Sequence, residues 1–113
     1  MSKQNTLSKA LPFEVEQALK TLGANLRTAR LARNLSIEEV AAKIGVGYRT
    51  VATAEAGKPG TAVGVYLSLF WTYGLVGQID ELADPLRDPL VQRATRTRER
   101  SYPTRRGALD NDF

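Results

Sequence analysis

The stretch from Glu39 to Gly57, EVAAKIGVGYRTVATAEAG, constrains the fold of this chain more than any other. It holds two short runs with helical apolar spacing, separated by Gly45-Val46-Gly47. Just upstream, Ser36 and Glu39 form a Ser-x-x-Glu capping box, a signal that a helix starts there. Val40, Ala41 and Ile44 then make one apolar face, and Gly45 supplies a C-terminal stop. A further helix is predicted from about Gly47 to Ala56, with Val51 and Ala54 inward and Gly57 following it.

The flanks read as helices too. Pro12 suits a first turn, Glu14 and Glu16 suit the positive end of a helix, and Leu19, Leu22, Leu26 and Ala29 recur at helical spacing up to about Arg33. Gly23 lies inside that helix, where it weakens it but permits another backbone to come close. Asn34 can end it in a left-handed turn. After the turn GKPG, Thr61 is the expected cap of a fourth helix carrying Val65, Leu69, Phe70 and Tyr73, which Gly74 ends. Leu75 to Ala83 is expected to form a short fifth helix with Ile79 and Leu82 inward, and Pro85 and Pro89 to close the compact part. No strand-like alternation and no internal repeat appear, so the class is all-α. The expected division is a flexible leader over residues 1–11, a folded domain over 12–86, and a largely disordered tail over 87–113, with a helical turn or two from Asp88 allowed.

Composition narrows the chemistry. The chain has neither cysteine nor histidine, which removes disulfides, thiolate zinc sites, the usual general base and the commonest metal ligand. An enzyme is therefore not expected, and no cofactor is implied. The start lacks the apolar core of a secretory signal and no long uncharged apolar run occurs, so no membrane partner is expected and the cytoplasm, in association with the nucleoid, is the expected location. The net charge of +4 is compatible with a nucleic-acid partner. Its excess sits mainly beyond residue 86, where seven arginines face four acids.

Two short helices joined by a tight turn behind a longer one meet the description of a helix-turn-helix unit, whose second helix enters the DNA major groove. The outward, N-terminal positions of that helix are Tyr48, Arg49, Thr50 and Thr53, the candidate base readers, and Arg49 can bond a guanine bidentately. Pattern alone leaves an ordinary helical core as an equal alternative. Trp71, Tyr66, Phe70 and Tyr73 read as core and dimer-face residues rather than a base-stacking platform, and Glu38 with Glu39 as a solvated helix start rather than a catalytic pair.

The segment from Leu22 to Gly60 resembles the Xre, or Cro/repressor, family of helix-turn-helix proteins. Leu35, Ser36, Glu38, Glu39 and Ala41 match that family's start of the second helix, and Gly45 and Val46 match its turn. The resemblance implies a five-helix, lambda-repressor-like domain that binds double-stranded DNA. It also implies a structural ion pair between Arg30 of the first helix and Glu55 at the end of the recognition helix. Expected DNA-backbone contacts fall at Ser36, Ile37, Gly47 and Lys58. Ile37 stands where the family often has a phosphate-bonding glutamine, which leaves that contact to backbone amides. Gly47 replaces the usual hydroxyl cap, and Ala54 is smaller than the usual aliphatic, which points to a tighter packing or a larger neighbour.

Further along, the stretch from Thr61 to Leu90 is similar to HipB-type antitoxins, partners of HipA-like kinase toxins. That resemblance implies a homodimer that binds a palindromic operator, represses its own operon and engages a kinase toxin. Leu67, Phe70, Trp71, Leu75 and Val76 are the expected dimer face. Arg93, Arg96, Arg98, Arg100, Arg105 and Arg106 are expected to meet DNA phosphates or a toxin surface, a solvated tail being the bland alternative. The competing functions are a phage-type or metabolic regulator without a toxin, and an interaction module that has lost DNA binding.

Overall fold

The computed structural model describes residues 11–101, and side chains to residue 98. Among the described residues the chain is helical throughout, with no strand, as an all-α helix-turn-helix domain requires. Five α-helices run in order: α1 (Phe13–Ala32), α2 (Ile37–Ile44), α3 (Tyr48–Glu55), α4 (Val63–Thr72) and α5 (Pro89–Ser101). Two 3-10 helices, Val76–Glu81 and Pro85–Arg87, lie between α4 and α5. The chain separates into two compact units between Ile79 and Asp80, earlier than the boundary expected at residue 86.

In the first unit, four helices end by one device. Asn34, Gly45, Gly57 and Gly74 all have positive φ, and the amide of the next residue returns to a carbonyl five positions back: Leu35 to Arg30, Val46 to Ala41, Lys58 to Thr53 and Leu75 to Phe70. Three of those following residues, Leu35, Val46 and Leu75, are apolar and pack against the core. Each of those three ends therefore both stops its helix and turns a hydrophobic side chain inward. The same core buries Leu26 of α1, Val40 and Ala41 of α2, Val51 and Ala54 of α3, and Tyr66, Leu69 and Tyr73 from α4 and its cap. Side chains as completely buried as Leu69, Val40 and Val51 contribute roughly 1.5–3 kcal/mol each.

Helix α4 carries no charged residue, and only part of it faces this core. Its two aliphatic hydroxyls turn back on the helix, Ser68 Oγ donating to the Gly64 carbonyl at 2.8 Å and Thr72 Oγ1 to the Ser68 carbonyl at 2.9 Å. Thr61 is not its cap: Ala62 holds that position without a side-chain bond, and the Thr61 hydroxyl is buried with no partner. The segment after α4 tightens into a 3-10 helix rather than the α-helix expected over 75–83, and Leu82 is exposed rather than inward.

The second unit departs furthest from expectation, being helical over Pro89–Ser101 where the sequence predicts a largely disordered tail with a helical turn or two from Asp88. Both Asp-Pro pairs start helices instead of closing the fold. The Asp84 carboxylate accepts the Leu86 amide at 3.0 Å ahead of the second 3-10 helix, and Asp88 accepts the Leu90 amide at 2.9 Å ahead of α5. Aspartate as cap followed by proline in the first turn is a helix start, because proline's missing N–H would have had no partner there. Gln92 Nε2 also donates to the Pro85 carbonyl at 3.0 Å, tying α5 to that 3-10 helix. Residues 1–10 of the expected leader and 102–113 of the expected tail lie outside the described residues.

Candidate nucleic-acid interface

Helix α3 is held against α1 by an approach that only glycine permits. A Cβ on Gly23 would stand 2.5 Å from the Glu55 carbonyl oxygen and 2.7 Å from that of Ala54. At Gly57, where φ is +70°, a Cβ would stand 2.6 Å from the Lys20 Cα. The small Ala54 is thus matched by tight backbone packing, the first of the two alternatives its size left open.

A buried ion pair fixes the same seam. Arg30 Nε donates to Glu55 Oε2 at 2.7 Å and Arg30 Nη2 to Glu55 Oε1 at 3.0 Å, a bidentate fork. The remaining Nη1 donates to the Leu35 carbonyl at 2.9 Å, so one guanidinium joins α1, the turn before α2 and the end of α3. Both side chains are almost fully buried, at 8% and 5% exposure. The bonds to Glu55, opposed by burial, hold the Arg30 pKa above its ordinary value.

With Val51, Ala54 and Glu55 turned inward, α3 presents the opposite face. There Arg49 is exposed and Thr53 half-buried, while in the first turn Tyr48, on the same side as Glu55, is 53% exposed and Thr50 is half-buried. Arg49 and Thr53, four residues apart, share one face. Gly47 caps α3 without a side-chain bond, leaving the first amides of the helix for an outside acceptor. The turn that brings α3 into position is Gly45-Val46-Gly47, with Gly45 at φ +78°.

At the start of α2 the capping box is complete: Ser36 Oγ accepts the Glu39 amide at 3.0 Å, and the Ser36 amide donates to Glu39 Oε1 at 2.8 Å. The Ser36 amide is thereby engaged inside the protein. The Ile37 side chain packs against the core, so it offers a phosphate nothing beyond its backbone N–H. Lys58 is exposed in the turn after α3, and its ammonium remains the group that can meet a phosphate.

The five expected dimer-face residues divide. Leu67, Trp71 and Val76 are exposed, Trp71 by 58%, whereas Phe70 and Leu75 pack against the core. Val63, exposed by 70%, joins Leu67 and Trp71 in a stripe at four-residue spacing along α4. Lys43 of α2 lies over the Trp71 ring at 5.6 Å.

Arg93, Arg96 and Arg98 are exposed on α5. The Arg100 side chain, and Arg105 and Arg106 altogether, lie outside the described residues.

One organising residue carries no local signal. Arg33, at the end of α1, donates through Nη2 to the Tyr73 carbonyl at 2.8 Å, and its guanidinium lies 5.5 Å from the Tyr73 ring centre. It closes the end of α4 with a positive charge, as the helix dipole favours. Its partner lies 40 residues along the chain, beyond the reach of spacing rules.

Among the described residues no helix is long and apolar enough to cross a membrane, and no cluster of three or more acidic residues could hold a metal ion.

Comparison with known proteins agrees with this geometry. The chain is 40% identical over 62 residues to an uncharacterised HTH-type transcriptional regulator, y4mF, of Sinorhizobium fredii, covering 55% of this chain and 79% of that protein. No solved structure matches it closely enough to be significant. The helix-turn-helix domain family matches residues 21–84, which include α2, the Gly45-Val46-Gly47 turn and α3; the chain belongs to that family.

Proposed function

We propose that this protein is a DNA-binding transcriptional regulator, a sequence-specific repressor that reads DNA through the N-terminal half of α3. The observation that carries the reading is the exposed Arg49, with Thr53 one turn on, on a helix whose opposite face is locked by the Arg30–Glu55 fork, and Tyr48 exposed in its first turn. Rigid placement matters because a base contact needs a side chain held in one register against the groove. Thr50 and Thr53 complete the base-reading face, while the amides at Ile37 and Gly47, the Ser36 hydroxyl and the Lys58 ammonium meet phosphates. Family membership and the regulator from Sinorhizobium fredii support the same reading.

The protein acts as a homodimer on a palindromic operator. One α3 supplies few base contacts, and a two-fold pair places two of them about one helical turn, roughly 34 Å, apart. The exposed stripe Val63, Leu67, Trp71, with Val76, supports self-association. A helix this apolar on all sides is normally covered.

The finer role is that of an antitoxin which represses its own operon and binds a HipA-like kinase toxin. It rests on the similarity of Thr61 to Leu90 to HipB-type chains, with the arginines of α5 meeting either phosphates or the toxin. A regulator without a toxin is the second reading, and the relative's description as a transcriptional regulator is compatible with both. A gel shift with the DNA upstream of the protein's own gene tests the common core. A discrete complex that resists excess random DNA supports it; equal competition by random DNA refutes it. Co-purification with the product of an adjacent kinase gene separates the two finer readings.

A further inference from the structure

Beside the base-reading face lies a recess of about 340 Å³ between α3 and the turn leading into α4. Arg49, Thr50 and Thr53 form one side, and Gly60, Ala62 and Val65 the other. Its wall is mainly apolar. Thr61 also borders it, but that residue's hydroxyl oxygen is buried with no hydrogen-bond partner, so it offers no donor at the opening. The recess therefore combines a mainly apolar wall, interrupted by the Thr50 and Thr53 side chains, with one cationic, planar hydrogen-bond donor at its rim.

Among groups displayed in the DNA major groove, one is apolar and projecting: the C5-methyl of thymine. A guanidinium beside it pairs with the O6 and N7 of guanine. We infer that this recess seats the C5-methyl edge of a thymine next to the base pair that Arg49 reads, making Ala62 and Val65, outside the recognition helix, determinants of operator sequence. The inference rests on the proposed DNA reading. A phosphate is the poorer occupant, since an anion would face an apolar wall with Arg49 as its only charged partner among the lining side chains.

Uracil differs from thymine by that methyl alone. The operator is first selected from random DNA with the full-length protein, and each thymine of a half-site is then replaced singly by uracil. Burying one methyl corresponds to about fourfold in affinity, so one thymine per half-site should show a loss of that order. Ala62→Gly and Val65→Ala, which strip methyls from the wall outside the recognition helix, should shrink that loss while binding to the all-uracil operator stays within about twofold of wild type. Circular dichroism melting of both variants checks that they fold. A half-site with no methyl-sensitive thymine, or one whose sensitivity is unchanged in both variants, overturns the inference and leaves the DNA reading standing. Loss of affinity on methylphosphonate substitution without any uracil effect assigns the recess to a phosphate and also overturns it. Failure to select any DNA overturns both.

Discussion

Replacing Gly23 by alanine tests how α3 is set on its base. In an exposed helix the change would stabilise by about 1 kcal/mol, because alanine is the better helix former. Here the new Cβ would stand 2.5 Å from the Glu55 carbonyl oxygen, about 0.8 Å closer than an ordinary carbon–oxygen contact of roughly 3.3 Å. The obstacle is backbone, so it cannot rotate away; the end of α3 must move off α1 and stretch the Arg30–Glu55 fork. Overpacking of this kind costs about 1–3 kcal/mol, which outweighs the propensity gain, and weakening the buried pair adds to it. Less the propensity gain of about 1 kcal/mol, overpacking alone leaves a loss of up to about 2 kcal/mol, and weakening of the pair brings the expected net destabilisation to about 1–3 kcal/mol. Gly64 in α4 is the control, since a Cβ there meets nothing within 4 Å and alanine should leave stability unchanged or raise it. Urea unfolding followed by far-ultraviolet circular dichroism, at one fixed protein concentration, reads both. A Gly23→Ala protein as stable as wild type would refute the close seam and the account of α3's placement built on it.

Other perturbations probe the surrounding structure. Glu55→Gln leaves the Arg30 charge buried without its counter-ion and should cost about 3–5 kcal/mol, whereas Arg30→Met combined with Glu55→Leu should recover much of that loss; a double-mutant cycle with no coupling would contradict the pair's role. The Tyr66 hydroxyl is buried with no partner, so Tyr66→Phe should hold or raise the midpoint of thermal unfolding, and a fall of several degrees would show that the hydroxyl is used. Burial raises the Tyr73 pKa, meaning that the fold favours the neutral phenol. That contribution is complete below the unfolded value of about 10 and is lost as pH climbs through the higher folded value. Stability should thus decline above about pH 10 and less steeply in Tyr73→Phe, and identical alkaline profiles would exclude this origin.

What can be read from the sequence is what short-range chemistry decides. Ser36 and Glu39 cap α2 through bonds spanning three residues, and Asn34, Gly45 and Gly74 stop helices through backbone geometry of their own, so each leaves its mark locally. The Arg30–Glu55 pair spans 25 residues and no periodicity announces it; resemblance to a family names both members. Arg33 has no such guide, and its bond to the Tyr73 carbonyl emerges only from packing. Asp88-Pro89 is instructive in another way. Proline by itself reads as a terminator, but the aspartate before it is a helix cap, and together they start α5. Thr61 fails in the opposite sense: a residue suited to capping lies one position too early, and its hydroxyl is buried instead. Outward positions on α3 follow directly once Val51 and Ala54 are inward, because a helix has only one opposite face.

Affinity of Arg49→Ala for the selected operator and for random DNA, measured side by side by fluorescence anisotropy at one salt concentration, tests the central claim most directly. Arg49 is exposed on the base-reading face and forms no ion pair among the described residues, so its removal should leave the fold intact. Without its hydrogen bonds to a base edge, operator binding should weaken by about 1–3 kcal/mol while random-DNA binding stays nearly unchanged. Equal weakening on both DNAs, or none on either, would contradict the assignment of α3 as the helix that reads sequence.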